Sequence, residues 1–114
     1  MTDCLFCKII EKKIPAKIAY EDDQVLAFHD INPQAPLHLL IIPKKHIASI
    51  NDLQDRDSAV IGYLHLVAKK LAIEYKIEKA GFRLVINNGA NAGQAVDHLH
   101  LHILGGRKFQ WPPG

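Results

Sequence analysis

The stretch His98-Leu99-His100-Leu101-His102-Ile103-Leu104, near the carboxyl end, alternates histidine with aliphatic residues. In a β-strand, successive side chains point to opposite faces, so a strand here puts the imidazoles on one face and the aliphatic side chains on the other. The aliphatic face can join a core while the imidazoles line a cavity. We therefore expect three groups that can attack, donate, accept or coordinate near neutral pH to converge on one small volume.

Two chemistries are compatible with this histidine strand. One is a metal held by two or three imidazoles, with Asp97 or His38 as a further ligand, as in zinc hydrolases. The other is covalent catalysis, in which one imidazole attacks an electrophile while its neighbours orient it and bind charge. The preceding loop, residues 87–94, is rich in glycine, alanine and asparagine, so its backbone N–H groups are suited to phosphate oxygens. An ordinary turn has the same composition, and the three histidines beside this loop make a phosphate site an equally good interpretation.

The composition of the whole chain limits the function further. The chain has 114 residues, 48% of them hydrophobic, and a formal net charge of +2. This length predicts one domain over residues 1–114 with a modest core. Lys44-Lys45 and Arg107-Lys108 are isolated pairs that we expect at the solvated surface, which argues against nucleic acid as a partner. No apolar run is long enough to cross a bilayer, and the first four residues lack the plan of a signal peptide, so we expect a cytoplasmic protein and no membrane partner.

Cys4 and Cys7 form a C-x-x-C pair with several interpretations. A disulfide is disfavoured in a reducing compartment, and a thioredoxin-like redox pair should follow a core strand, which does not precede Cys4. Half of a zinc site, completed by histidines distant in sequence, competes with a pair of packed thiols. Among the remaining histidines, we expect His29 and His65 at the surface or satisfied in the core. His46 is expected to be exposed unless it meets the cysteines.

Hydrophobic periodicity and turn signals predict an α+β order of elements. A short helix is expected over residues 4–12, ended by Pro15, and a long helix from residue 53 or 57 to residue 75. The predicted strands cover residues 18–20, 25–29, 38–43, 82–87 and 98–104. No repeat, linker or low-complexity segment interrupts this order.

The histidine run matches the His-φ-His-φ-His-φ-φ signature, and the chain resembles the Hint branch of the histidine-triad (HIT) nucleotide-binding superfamily. Other matching segments occur in the family's order over nearly the whole chain: residues 6–10, 14–17, 27–31, 33–36, 42–46, 93–94, 104–107 and the Trp-Pro-Pro-Gly ending. The resemblance implies a five-stranded antiparallel sheet with one long and one short helix, paired with a second sheet in a homodimer. It also implies cleavage of purine nucleoside phosphoramidates, or related AMP-X compounds, through a nucleotidylated histidine.

The resemblance also implies a role for particular residues. His100 matches the nucleophile, and His102 and His38 match its partners in phosphate binding and in holding the imidazole. The resemblance implies that the phosphate is bordered by Asn87, Gly93 and Gln94. It implies that the ribose hydroxyls are bound by Asp30, with Ile31 beside it, and that the base pocket is lined by Phe6, Ile9, Phe28 and Leu40. In zinc-containing relatives a C-x-x-C pair joins two histidines, and the corresponding residues here are Cys4, Cys7, His46 and His98. His98 is then structural rather than catalytic.

Ala95 departs from the family pattern, because close Hint proteins often have serine after the Gly-Gln pair. If that serine hydroxyl stabilises the transition state, its absence here lowers the rate about ten- to a thousandfold. A nucleotide-binding regulatory protein with weak or vestigial catalysis is therefore the alternative to a hydrolase. Because neutral imidazole attacks phosphorus without help from a metal, we expect chelators to spare the chemical step.

Overall fold

A single antiparallel sheet of five strands organises the molecule, in the order β1-β2-β3-β5-β4. The computed structural model describes residues 3–114, so Met1 and Thr2, part of the segment considered as a signal peptide, lie outside the described residues. The strands are β1 (Ile18–Glu21), β2 (Val25–His29), β3 (Leu37–Pro43), β4 (Phe82–Val85) and β5 (Leu101–Gly105). The helices are α1 (Leu5–Ile10) and α2 (Ser58–Glu74). The predicted α+β class with one short and one long helix is confirmed.

Strand alternation divides the apolar side chains between the two faces of this sheet. One face packs against α2 and forms the larger core, which includes Val25, Ala27, Leu39, Ile41, Leu99, Leu101 and Ile103 with Leu64, Val67 and Leu71 of the helix. The other face packs against α1, through Leu26, Phe28, Leu40 and Ile42 on the strands and Phe6 and Ile9 on the helix. Within residues 3–114, no helix is both long and apolar enough to span a membrane.

Several elements are shorter than the sequence patterns predict. Helix α1 covers only residues 5–10, because the Cys4 side chain caps its first turn and the chain turns away at Lys12, whose φ is 64°. Its end therefore precedes Pro15. Helix α2 begins at Ser58, after two short 3₁₀ turns, and ends at Glu74, one residue before the predicted end. Strand β4 ends at Val85, two residues before the predicted end.

The histidine strand begins at Leu101, three residues later than predicted. Ahead of it, the N–H of Leu99 donates to the Ile47 carbonyl at 2.6 Å, so this residue pairs with the loop after β3 instead of a strand. The predicted alternation still holds across the boundary. Leu99 lies in the core beneath α2, while the rings of His98 and His100 both meet the Phe6 ring of α1 edge-on.

The register between β3 and β5 brings two histidines together. Leu40 lies opposite His102 and His38 lies opposite Leu104, so His38 and His102 are diagonal neighbours on one face. This is the face that α1 partly covers. The Phe6 ring of α1 lies 5.3 Å from the Phe28 ring, between centroids. The sheet and α1 thus form two walls of a space beside the histidines.

Candidate functional site

A cavity of about 410 Å³ opens between α1, the face of the sheet that carries Phe28 and Leu40, and the loop before β5. Eight of the nine residues predicted to bind nucleotide line it, and Gln94 does not: Phe6, Ile9, Phe28, Asp30, Ile31, Leu40, Asn87 and Gly93. His100 and His102 line it as well. Ala95, whose missing hydroxyl was expected to affect the rate, lines it too. The other lining residues were not assigned to the cavity from the sequence: Leu5, Ile14, Pro15, Ala16, His29 and Val96.

Most of the cavity wall is apolar. The polar side chains on it are those of His29, Asp30, Asn87, His100 and His102. Among the described residues that line the cavity, none is a lysine or an arginine. An apolar cleft with a few convergent polar groups is the usual form of a small-molecule site.

The proton on the His100 ring is fixed by the backbone. Nδ1 lies 2.7 Å from the carbonyl oxygen of His98. Because a carbonyl oxygen only accepts, Nδ1 must carry the hydrogen, and the neutral ring then has its lone pair on Nε2. Nε2 is thus the basic nitrogen of a ring that lines the cavity. Attack through one ring nitrogen requires a neighbour that fixes the tautomer, and the folded chain identifies this neighbour as the His98 carbonyl.

A second chain of hydrogen bonds sets the protons on the other two histidines. The backbone N–H of Gln34 donates to His38 Nδ1 at 3.0 Å, so the hydrogen of neutral His38 is on Nε2. That nitrogen lies 2.9 Å from His102 Nδ1 and donates to it. The hydrogen of His102 is therefore on Nε2, which is buried and has no acceptor among residues 3–114. His102, which lines the cavity, thus has an unused donor on its ring, and its other nitrogen is bonded to His38.

Burial keeps both of these rings neutral at pH 7. It lowers the pKa of His102 to about 4, with further lowering from His100 and His38 and a smaller opposing effect from Asp30. Burial also lowers the pKa of His38, against the opposing charge of Asp30. The neutral tautomers derived from the hydrogen bonds are therefore the forms present near neutral pH.

Asp30 and Ile31 stand at the rim of the cavity. One carboxylate oxygen of Asp30 accepts the N–H of Asn32 at 2.8 Å, and the other lies 3.4 Å from His38 Nε2. The carboxylate is half-buried and keeps lone pairs free for hydroxyl donors. The Ile31 side chain is fully exposed beside it. Both positions are compatible with the predicted ribose contact.

Gln94 supports the loop instead of bordering the cavity. Its side-chain oxygen accepts the N–H of Gly89 at 2.9 Å, and its amide nitrogen donates to the carbonyls of Ala48 and Val96. The N–H groups of Gly93 and Gln94 are also bonded within the loop, to Ala90 and Gly89. Gly89 and Gly93 both have a φ of 85°, a conformation that favours glycine. These glycines therefore shape the loop, and two of the N–H groups expected at the phosphate are already used.

Cys4, Cys7, His46 and His98 form a separate cluster whose ligand atoms all lie within 4.8 Å of one another. His98 is thus turned away from the cavity, and the three imidazoles of the triad do not share one volume. His46 Nδ1 and His98 Nδ1 are 3.2 Å apart, and the three measured nitrogen–sulfur distances are 3.3, 3.4 and 3.6 Å. Tetrahedral zinc with ordinary bond lengths separates two nitrogens by about 3.3 Å and a nitrogen from a sulfur by about 3.6 Å. The donor set and spacing fit zinc.

The proton positions in this cluster also fit a cation. His98 Nε2 donates to the Pro43 carbonyl at 2.8 Å, so its Nδ1 lone pair faces the two thiols. Burial lowers the pKa of His98 to about 4. Burial, with the nearby Cys4, raises the pKa of Cys7 to about 11. A bound cation would reverse that effect, because it stabilises the thiolate.

The described residues include a second compact set, Asp30, His38 and His102, which does not fit a metal. The nitrogens that would bind the ion are His38 Nε2 and His102 Nδ1. Because Gln34 donates to His38 Nδ1, neutral His38 must keep its hydrogen on Nε2, where a metal would have to bind. The 2.9 Å separation of the two nitrogens is a hydrogen-bond length. This set holds a proton, which disfavours a metallohydrolase with zinc on the triad.

Comparison with known proteins agrees with this geometry. The family model of the HIT domain matches residues 11–109. The chain belongs to the HIT domain family. It is 57% identical to a HIT-like protein of Synechocystis over 112 residues, which cover 98% of this chain and 97% of the relative. The five-stranded sheet with its two helices is accordingly the HIT fold.

Solved structures of HIT proteins superpose closely on the chain. A HIT family hydrolase from Legionella pneumophila is 55% identical, with a TM-score of 0.97 and coverage of 98% of this chain and 100% of that chain. A histidine triad protein from Clostridium difficile is 46% identical, with a TM-score of 0.94 and 96% of each chain covered. A histidine triad nucleotide-binding protein from Candida albicans is 34% identical, with a TM-score of 0.83 and coverage of 98% and 85%.

The remaining histidines of this HIT domain lie outside both clusters. His65 is exposed on α2, where its Nδ1 donates to the Ile61 carbonyl at 2.8 Å, as expected for a surface residue. His29 is half-buried at the cavity, with its ring edge-on to Tyr75. Its position at the end of β2, directly before Asp30, was the available sequence signal for a place near the site.

Proposed function

We propose that this HIT protein is a hydrolase of the Hint branch that cleaves purine nucleoside phosphoramidates through a nucleotidyl intermediate on His100. The fixed tautomer of His100 carries the proposal. A nucleophilic imidazole needs one bare nitrogen at the substrate and a neighbour that stabilises the cation formed on attack. Here the His98 carbonyl accepts from Nδ1, leaves Nε2 bare and faces the charge that develops on the ring.

The reaction follows from this arrangement in two displacements. His100 Nε2 attacks phosphorus, the bond to the leaving amine breaks, and the amine takes a proton from solvent. Water then adds to phosphorus, the bond to His100 breaks, and the nucleoside monophosphate leaves. The proton that this water loses to solvent balances the one gained by the amine. The neutral, Nδ1-protonated imidazole is restored at the end of each cycle.

His102 acts in this scheme as a fixed hydrogen-bond donor to a phosphoryl oxygen. Its buried Nε2 has a hydrogen and no acceptor in the described part of the chain, so the cost of burying this donor is recovered when a substrate oxygen accepts from it. It is not suited to be a general acid. If His102 lost its Nε2 proton, it would become an imidazolate. If His38 then passed its hydrogen to His102 through the shared hydrogen bond, His38 would become the imidazolate instead, because its Nδ1 accepts from Gln34 and has no hydrogen.

The cavity supports a nucleoside monophosphoryl substrate. Phe6, Ile9, Phe28 and Leu40 offer an apolar wall for a purine, and Asp30 at the rim can accept from ribose hydroxyls. The absence of lysine and arginine among the described lining residues favours a phosphoramidate with a single negative charge over a polyphosphate. The names of the similar structures, a hydrolase from Legionella and a nucleotide-binding protein from Candida, point the same way.

We further propose that Cys4, Cys7, His46 and His98 hold a structural zinc ion. When bound, zinc would link α1 to the segment before β5 and supply no chemistry at phosphorus. This cluster would then keep the Phe6 wall and the His98 carbonyl in position, since both belong to residues within it or next to it. Chelation should therefore act on stability before it acts on the chemical step.

We also propose the homodimer that the resemblance implies. Strand β4 lies at one end of the sheet, so one side of its backbone has no strand partner within the described chain. Its four residues are half-buried, which suits pairing with a second copy. Light scattering coupled to size exclusion would show twice the chain mass if this is correct, and the chain mass alone would exclude it.

AMP release from an adenosine phosphoramidate tests the proposed function. We expect turnover by the parent protein and a loss of about a thousandfold or more in His100→Ala, because the covalent route is removed. His65→Ala is the matched control, since His65 is an exposed histidine of α2, and it should turn over like the parent. Equal turnover by His100→Ala and the parent would refute the proposal.

The second candidate is a nucleotide-binding regulatory protein, which Ala95 favours because it offers no hydroxyl at the cavity. It differs from the first candidate in one measurable respect. Such a protein would bind AMP in a titration without turning over the phosphoramidate and without forming an adduct. Turnover that requires His100 would exclude it.

A further inference from the structure

Two hydrogen bonds to the backbone of Gln34, one through its N–H and one through its carbonyl, hold the loop between Asp30 and His38. The Gln34 N–H donates to His38 Nδ1 at 3.0 Å, and the Gln34 carbonyl accepts from Arg107 Nε at 3.1 Å. These two groups flank a single Cα atom. The orientation of the N–H at His38 therefore depends on where the carbonyl is held.

Arg107 is itself fixed by the segment after β5. Its NH1 donates to the Lys108 carbonyl at 3.2 Å, and its guanidinium lies 4.2 Å from the centre of the Phe109 ring. Gly106, with a φ of 92°, packs so closely that an added Cβ would stand 2.8 Å from Pro36 Cβ. The loop and this segment are thus in direct contact at two neighbouring positions. This contact could not be predicted from the sequence, since Arg107-Lys108 has the composition of an ordinary solvated pair.

We propose that Arg107 is a positioning residue for the phosphoryl site, which acts by holding Gln34 so that its N–H fixes the tautomer of His38. This inference rests on the proposed function, because the tautomer matters only if His102 must donate to substrate. With His38 Nδ1 occupied, the shared hydrogen points from His38 to His102, and the hydrogen of His102 is on Nε2, where no acceptor within the described residues takes it. With the loop released, His38 can carry its hydrogen on Nδ1. His102 Nδ1 then faces the bare Nε2 of His38 and carries the hydrogen itself. His102 Nε2 is left with no hydrogen to donate to substrate.

The test compares Arg107→Met with Arg83→Met. Methionine keeps much of the aliphatic stem of Arg107 and removes the donor to Gln34. Arg83 lies over the same Phe109 ring, at 5.1 Å, and donates to Gln110 at 2.9 Å, but it has no bond to Gln34 among the described residues. It therefore controls for a looser carboxyl-terminal segment. Arg107 is exposed and Arg83 is half-buried, and neither belongs to an apolar core, so both variants should fold.

The first readout is the ¹⁵N spectrum of the histidine rings, which distinguishes protonated from bare nitrogens. We expect His38 with a bare Nδ1 in the parent and in Arg83→Met, and a mixture of tautomers in Arg107→Met. In the phosphoramidate assay, Arg107→Met should lose about three- to tenfold in kcat, the worth of one hydrogen bond, with KM within about twofold of the parent.

An unchanged His38 spectrum in Arg107→Met, or the same change in Arg83→Met, would overturn the inference. These outcomes differ from failure of the proposed function. If the parent turns over no phosphoramidate, the hydrolase proposal fails while the spectra still decide whether Arg107 sets the tautomer. If the parent turns over and the spectra do not differ, only the positioning role fails.

Discussion

Two clusters on the same side of the sheet have similar dimensions and opposite chemistry. Each has its potential ligand atoms within 4.8 Å of one another, and each contains two imidazoles. In the cysteine cluster, His98 Nε2 donates its hydrogen bond outward to the Pro43 carbonyl, so the lone pair of Nδ1 points into the cluster. In the cluster of Asp30, His38 and His102, the Gln34 N–H donates to His38 Nδ1, so the hydrogen on His38 Nε2 points into the cluster.

The difference indicates that one backbone group behind a histidine determines whether the geometry of a cluster suits a metal ion or a proton. An acceptor behind the ring directs a lone pair into the cluster, and a donor behind it directs a hydrogen there. Ligand type and spacing alone do not separate the two cases. Variants that break one cluster while leaving the other intact test this difference.

The largest effect is expected from the double variant Cys4→Ser, Cys7→Ser. The parent should bind about one zinc ion per chain, and the variant should lose it, with a fall of about 10 °C or more in Tm, because metal binding to a folded site adds to stability. Metal analysis and thermal unfolding measure both effects. The matched variant Asp30→Asn should keep its zinc.

Zinc retained at one ion per chain by the cysteine variant, together with turnover that a chelator abolishes, would contradict this account. Such a result would place the metal on the triad. It would favour the metallohydrolase that the proton positions of His38 and His102 argue against.

A smaller effect, confined to the chemical step, is expected from His102→Ala. Removing the buried donor should lower kcat by about 10²–10³-fold, since the lost contact is made to charge that develops in the transition state. Zinc content should not change. His102→Gln, which keeps an N–H donor, should recover part of the rate, and a loss of zinc in either variant would show that the two clusters are not independent.

The pH dependence of stability separates the buried histidines from the exposed ones. In the unfolded chain a histidine titrates near 6.5, whereas burial lowers the pKa of His102 to about 4. Between these values the unfolded state binds a proton that the folded state does not, so stability falls as the pH falls from about 6.5 to about 4. Each such group contributes up to about 1.4 kcal/mol per pH unit in that window.

Thermal unfolding of the parent and of His102→Gln between pH 7 and pH 4 checks this contribution. The Tm of the variant should decline less steeply across the window, while both proteins should be insensitive to pH just above it. Parallel curves for the two proteins would show that His102 is not held neutral by burial.

The smallest effect is expected from Ala95→Ser. Ala95 is exposed at the cavity, so a hydroxyl can be added without displacing a core atom. If the hydroxyl reaches the phosphate or leaving group, kcat should rise by about tenfold, the low end of the worth of one such donor. A rate equal to the parent's would show that this side of the cavity does not meet the reacting atoms.

The sequence predicted the parts of the site that depend on side-chain periodicity and residue type. Alternation placed Leu99, Leu101 and Ile103 in the core and the histidines on the other side, although β5 begins only at Leu101. The family resemblance grouped His38 with His102, and the register of β3 and β5 makes them diagonal neighbours. The family pattern grouped the cysteines with two histidines, which the structure brings together.

The parts that could not be predicted depend on backbone groups. Which hydrogen each imidazole carries is decided by carbonyls of Pro43 and His98 and by the N–H of Gln34, and any residue type supplies such groups. Gln94 was expected at the phosphate, but its amide is bonded to the backbone at three positions. Only the folded chain shows which partner a side chain of this kind finds.

Intact mass after brief mixing with an adenosine phosphoramidate tests the central claim most directly. The parent, quenched at neutral or alkaline pH to preserve a phosphorus–nitrogen bond, should gain one nucleotidyl group, and peptide mapping should place it on His100. His100→Ala should gain none, while the cysteine variant, where folded, should still be labelled. A parent that turns over without any adduct, or an adduct on another residue, would contradict the account.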